Sequence, residues 1–124
     1  MTTFKQRKSK GNVAERLFMA QYPDAKRTSS FTEDDFTTKT ADMEEGVKYM
    51  PDFMLYDSYC EVKSSIFYNA AEYDHHISTY GPTMLVYVLI QNVGKLYTLG
   101  DLRIIGPYKG SSRGSGLPYY KMRI

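Results

Sequence analysis

The apolar positions of this chain change their period along its length, and each change predicts a new element. Between Ser9 and Gln21, Val13, Leu17 and Ala20 recur at helical spacing, with Ala14 and Phe18 widening the stripe. Ser9 is the expected N-cap and Tyr22-Pro23 the expected stop. A short strand is expected near Arg27–Phe31, followed by a polar segment, acidic over residues 31–45, that ends at Met50. The period then becomes two. From Pro51 to Lys63, Phe53 and Leu55, then Cys60 and Val62, alternate with polar positions, as in a half-buried hairpin. With Asp57-Ser58 as the turn, 56 pairs with 59, 54 with 61 and 52 with 63.

Asn69-Ala70-Ala71-Glu72 has the form of a helix N-cap with a capping-box glutamate. Ala70, Tyr73, Ile77 and Tyr80 give that helix its stripe, and Gly81-Pro82 ends it. Thr83–Ile90 is almost wholly apolar, which predicts a central strand buried on both faces. A turn at Gln91–Gly94 leads into a strand, Lys95–Leu99. A short strand is expected at Ile104–Pro107, and a last segment at Leu117–Ile124 follows a basic glycine-serine loop over 109–116. Helix, strands, helix, strands: the order predicts one α/β domain over residues 1–124, with a central mixed β-sheet flanked by helices.

The hairpin carries the candidate chemistry. Side chains alternate between faces, so Asp52, Glu61 and Lys63 share one face while Phe53, Leu55, Cys60 and Val62 back the other. Asp52 is expected opposite Lys63 and diagonal to Glu61, about 5 to 8 Å between backbones. Two carboxylates at that separation can converge on one hard cation, with an amine beside them.

Composition narrows the setting. The chain of 124 residues has a formal net charge of +2, and its single cysteine, Cys60, has no partner for an internal disulfide or a zinc site. No apolar run reaches membrane-spanning length, and Met1–Lys10 lacks the apolar core of a signal peptide. These features predict a soluble, cytoplasmic protein with no membrane contact. Charge is uneven: Lys and Arg outnumber acids 7 to 2 over residues 1–30 and 5 to 1 over 100–124, while acids lead 11 to 4 in between. Basic ends beside a carboxylate cluster suit a phosphodiester substrate.

The residues Gly11-x-x-x-Glu15 on a first helix, Pro51-Asp52, and Glu61-Val62-Lys63 on a hairpin, followed by a helix and an apolar strand, resemble the PD-(D/E)XK nuclease superfamily. The small archaeal-type Holliday junction resolvases are the nearest group within it. The resemblance covers roughly residues 5 to 99. It implies a restriction-endonuclease-like core and a Mg2+ cofactor that Mn2+ can replace. Asp52 and Glu61 would be direct ligands, the Val62 backbone carbonyl a third, and Glu15 a ligand through water. Lys63 would orient or deprotonate the attacking water. Lys5, Arg7, Lys8, Lys10 and Ser64 would hold nucleic acid.

The implied substrate is branched DNA, cut in pairs by a homodimer. The sheet edge near Thr83–Ile90 and the tail Leu117–Ile124 are the expected contact surfaces. Two features depart from the resolvase pattern: the tight Asp52-to-Glu61 spacing and the acidic stretch at 31–45. A restriction-type, repair or RNA-directed nuclease of the same superfamily is the alternative enzyme. A non-catalytic nucleic-acid-binding module is the alternative outside enzymes.

Other residues read more simply. His75 and His76 project about 100° apart on their helix, so both are expected at the surface or the helix end. Pro23-Asp24 ends the first helix. The 12 tyrosines could stack on unpaired bases, although Tyr87 reads as core.

Overall fold

The computed structural model describes residues 4–28, 49–109 and 117–124, with side chains described from residue 13 onward. The acidic stretch 31–45 and the glycine-serine loop 110–116 lie outside the described residues.

Helix α1 spans Phe4–Gln21. It starts more than a turn and a half earlier than the Ser9 cap predicts, because Lys5, Gln6, Arg7 and Lys8 are all good helix formers. Ala14 and Phe18, not Val13, Leu17 and Ala20, face the core, so the buried face is rotated by about one position from the expected stripe. Phe18 sets it. Its ring meets Phe53 at 4.9 Å, Tyr87 at 5.1 Å and Tyr22 at 5.4 Å.

The strands follow as β1 (Lys26–Arg27), β2 (Phe53–Leu55), β3 (Ser58–Lys63) and β4 (Phe67–Asn69). Helix α2 (Ala70–Tyr80) comes next, then β5 (Leu85–Ile90), β6 (Val93–Thr98), a 3-10 turn (Leu99–Asp101), β7 (Arg103–Tyr108) and β8 (Tyr119–Arg123). Asn69 caps α2 as expected, its side chain accepting from the Glu72 N–H at 3.0 Å.

The central sheet has the order β1-β2-β3-β5-β6. β3 and β5 run parallel and the other neighbours antiparallel, so the sheet is mixed. α1 covers one face over Phe53, Leu55, Cys60, Tyr87 and Leu89. The other face carries Val86 and Val88 and packs beneath α2 and a second, antiparallel sheet of order β4-β8-β7. The expected α/β layering and the doubly buried β5 are both present. The second sheet is an addition. Its pairing of Phe67 with Lys121 joins distant parts of the chain and leaves no local pattern.

Neither expected dimer surface is a free sheet edge. β5 is interior, between β3 and β6, and β8 is interior to the second sheet. Their backbone groups are already paired and offer no free edge. Among the described residues, no helix is long and apolar enough to cross a membrane.

Candidate active site

The hairpin turns one residue earlier than expected. Tyr56 and Asp57, with φ of 50° and 64°, occupy both central positions, the left-handed pair that matches strand twist in a two-residue turn. Phe53 therefore pairs with Cys60, Met54 with Tyr59 and Leu55 with Ser58. Continuing the register one step sets Asp52 across from Glu61, not from Lys63. The shift is two residues between partners, so every side chain keeps its expected face. The two carboxyl groups come closer together than the expected diagonal.

Asp52 is held at both ends. Its carbonyl accepts the Thr28 N–H at 3.1 Å, and its Oδ2 accepts the Val62 N–H at 3.3 Å. Pro51, fully buried, donates no N–H and suits the position where a strand begins. β2 leaves the ladder at Phe53, so β3 beyond Cys60 is uncovered on that side. In an extended strand the N–H and C=O of one residue point to the same side. The Val62 carbonyl therefore also faces the gap beside Asp52.

Helix α2 closes the cluster with Glu72 and His76, one turn apart on one face. The Lys63 amine pairs with Glu72 Oε1 and lies 4.3 Å from the centre of the Tyr68 ring. His76 Nε2 is 3.6 Å from Glu61 Oε2 and 2.6 Å from the Tyr49 carbonyl oxygen. A carbonyl only accepts, so Nε2 carries the proton. Nδ1 then accepts from the Tyr68 hydroxyl at 2.6 Å. His76 is fully buried, which corrects the surface position expected for it. Glu72 and His76 are the site residues that sequence reasoning missed. Their i, i+4 spacing on the helix after the hairpin was the available signal.

Electrostatics follow from burial. Desolvation, the Asp52 and Glu72 carboxylates and a hydrogen bond with Asp52 push the buried Glu61 carboxyl well above its ordinary range. Burial pulls the Lys63 amine down, but Glu72 and Glu61 more than offset it, and the amine ends above its usual value. Burial lowers His76, in keeping with the neutral tautomer. Burial, then Glu61, raises the Tyr68 phenol.

The cluster thus gathers Asp52, Glu61 and Lys63, as expected, and adds Glu72 and His76. Glu61, Glu72 and His76 each offer a ligand atom within 4.8 Å of the others. Glu15 is buried on α1 and takes the Arg27 guanidinium at 3.3 Å, which in turn sits over Phe53 on the α1 side of the sheet. The carboxylates that most lift Glu61 are Asp52 and Glu72, not Glu15. Ser64 is half-buried in the bend after β3. Lys5, Arg7, Lys8 and Lys10 lie on the first turns of α1, and their side chains are outside the described residues. Cys60 is buried and its thiol is raised by burial and by Glu61, as an inert core thiol should be. Compared with protein-family models, curated proteins and solved structures, the chain matches none.

Proposed function

We propose that this protein is a metal-dependent endodeoxyribonuclease of the PD-(D/E)XK kind. One observation carries the reading: Asp52 stands across from Glu61 where β2 leaves β3, with Lys63 two residues on along the same face. The connectivity supports it. A helix, three antiparallel strands, a second helix and a strand parallel to β3 agree with a restriction-endonuclease-like core.

The donor set fits a hard divalent cation. Glu61 is raised by burial first and then by the neighbouring Asp52 and Glu72 carboxylates, and its hydrogen bond with Asp52 stands where a shared cation would otherwise relieve the crowding. Asp52, Glu61 and the Val62 carbonyl would hold the ion, as oxygen donors suited to Mg2+ or Mn2+. When bound, the ion supplies charge neutralisation for the phosphoryl oxygens and a more acidic water.

The protein's own groups do the rest. The Val62 N–H fixes the Asp52 carboxylate. Lys63 is charged and steered by Glu72, so it donates to the attacking water or a phosphoryl oxygen and does not begin as a base. His76, locked between Tyr49 and Tyr68, holds Glu61 from behind. Glu15 acts at one remove, through Arg27 in the strand beside Asp52. Lys5, Arg7, Lys8 and Lys10 would grip the DNA backbone, with Ser64 near the scissile phosphate.

The proposed substrate is branched DNA, cut by a homodimer. The test is incubation with linear, nicked, flap and four-way-junction DNA, and with RNA, in Mg2+, Mn2+ or EDTA. A resolvase favours junctions at least about tenfold and sediments as a dimer. A monomer that cuts linear duplex equally well discards the junction substrate. Absence of divalent-dependent cleavage on every substrate discards the nuclease.

A further inference from the structure

The second sheet has an inner face and an outer one. Ile104, Tyr120, Met122 and Tyr68 pack inward on the core. The alternate positions point away from it. There the register sets Arg103 beside Arg123, Ile105 beside Lys121 and Tyr108 beside Tyr119. Phe67 flanks Lys121 from the other side of β8.

The rings on this face touch one another. Tyr108 and Tyr119 stack with centroids 5.5 Å apart and planes 25° from parallel, and Phe67 meets Tyr119 edge-on at 5.4 Å. Tyr108 and Ile105 are each 40% exposed. Arg103, Lys121 and Arg123 are exposed as well. From residue 102 to residue 124 the chain has no Asp or Glu. The face therefore interleaves accessible aromatic rings with cations and carries no carboxylate from β7 or β8.

We infer that the outer face of β4-β8-β7 is a binding platform for single-stranded DNA. The ligand must be a polyanion, to meet Arg103, Lys121 and Arg123. It must also present flat apolar surfaces, to use Tyr108, Tyr119 and Phe67. Unpaired nucleotides have both, and duplex DNA keeps its base faces inside its own stack. A second copy of this face would bring like charges together across a two-fold axis. Tyr119 to Arg123 spans about 13 Å of strand, and small aromatic sheets of this kind stack two or three bases.

The platform is also joined to the candidate site. Phe67 lies four residues past Lys63, and the Met122 N–H donates to the Ile66 carbonyl at 2.7 Å. An unpaired strand seated here runs toward the end of β3. The choice of DNA over RNA rests on the proposed activity, and the platform itself does not.

The test is fluorescence anisotropy of labelled oligothymidine with the intact protein in EDTA, so the outcome is independent of hydrolysis. Tyr108→Leu and Tyr119→Leu keep apolar bulk and remove the ring, and each should weaken binding roughly five- to tenfold or more at unchanged Tm. Lys121→Gln and Arg123→Gln should each weaken binding and reduce the slope of log affinity against log salt by about 0.7. Four results overturn the inference: no binding by wild type, preference for duplex or for anionic vesicles, tighter binding of oligouridine, and Leu variants that melt and bind like wild type. A dimer that Tyr108→Leu dissociates without changing oligothymidine affinity overturns it too.

Discussion

Replacing Glu61 by Gln should make stability less sensitive to pH. Glu61 is buried with its carboxyl raised by desolvation and by Asp52 and Glu72. The folded protein therefore keeps a proton that the unfolded chain releases above pH of about 4.5. The sign follows from linkage: the stability contributed by this proton is complete below the unfolded value and is lost as pH rises toward the folded one. One proton sets the ceiling, about 1.4 kcal/mol for each pH unit over which only the folded protein keeps it. Near 2.1 cal/mol/K per residue of unfolding entropy, a chain of this length moves about 4 °C per kcal/mol. The wild type should then lose up to about 5 °C per pH unit relative to Glu61→Gln.

His76 titrates in the opposite direction, being lowered by burial, and costs stability as pH falls below about 6.5. It is present in both proteins and sits 3.6 Å from Glu61. The neutral amide of Gln keeps that contact uncharged as the protonated carboxyl does, so the His76 contribution changes little while Glu61 holds its proton. The assay is thermal melting by circular dichroism in EDTA at half-unit pH steps. Adding Mg2+ or Mn2+ should raise the wild-type Tm most at the high end, where the ion competes with no proton. Parallel melting curves for the two proteins from pH 5 to 7 would falsify the account of Glu61 as a crowded, protonated carboxyl.

Three other substitutions test separate parts of the structure. Asp52→Asn should abolish divalent-dependent cleavage while DNA affinity by anisotropy holds or rises, since a negative charge near phosphate is gone; normal turnover would remove Asp52 from the site. Lys63→Ala should slow single-turnover cleavage by about 10²- to 10⁴-fold, and Lys63→Arg should rescue it only in part; a change within a few fold would make Lys63 a structural charge. Gly94→Ala should lower stability by about 2 kcal/mol or more on chemical denaturation. An added Cβ would collide with the hydroxyl end of the Tyr87 ring, which donates to Gln21 of α1. Wild-type stability in that variant would mean that Tyr87 can move freely.

The face that Asp52, Glu61 and Lys63 share was legible because strand alternation is a property of single residues. The register was not. It depended on which two residues turn, and Tyr56 is not a residue type that advertises a left-handed conformation. Because the true and expected registers differ by an even step, the error moved Asp52 along the strand without flipping it. Glu72 was legible only as part of a cap. Its N–H is indeed bound by Asn69, while its carboxylate turns back to Lys63. His76 was misplaced because two adjacent histidines say nothing about which one the helix buries. The second sheet stayed hidden because β4 is only three residues long and pairs with a strand at the far end of the chain.

Asp52, Glu61, Lys63, Glu72 and His76 come from one short continuous stretch, while the strand that backs them, β5, reaches β3 only by a crossover through α2. Before β5 pairs with β3, nothing on that side of β3 shields these side chains from water. Until then their charges stay hydrated and repel one another little. If β5 and the α2 layer dock late in folding, the penalty of desolvating Glu61 beside Asp52 is met only then. An interaction that appears only past the main barrier acts on the rate of unfolding and leaves the rate of folding nearly alone. On that order of events the acidity of this cluster would set how long the folded protein persists more than how fast it forms, and a bound cation would extend its lifetime.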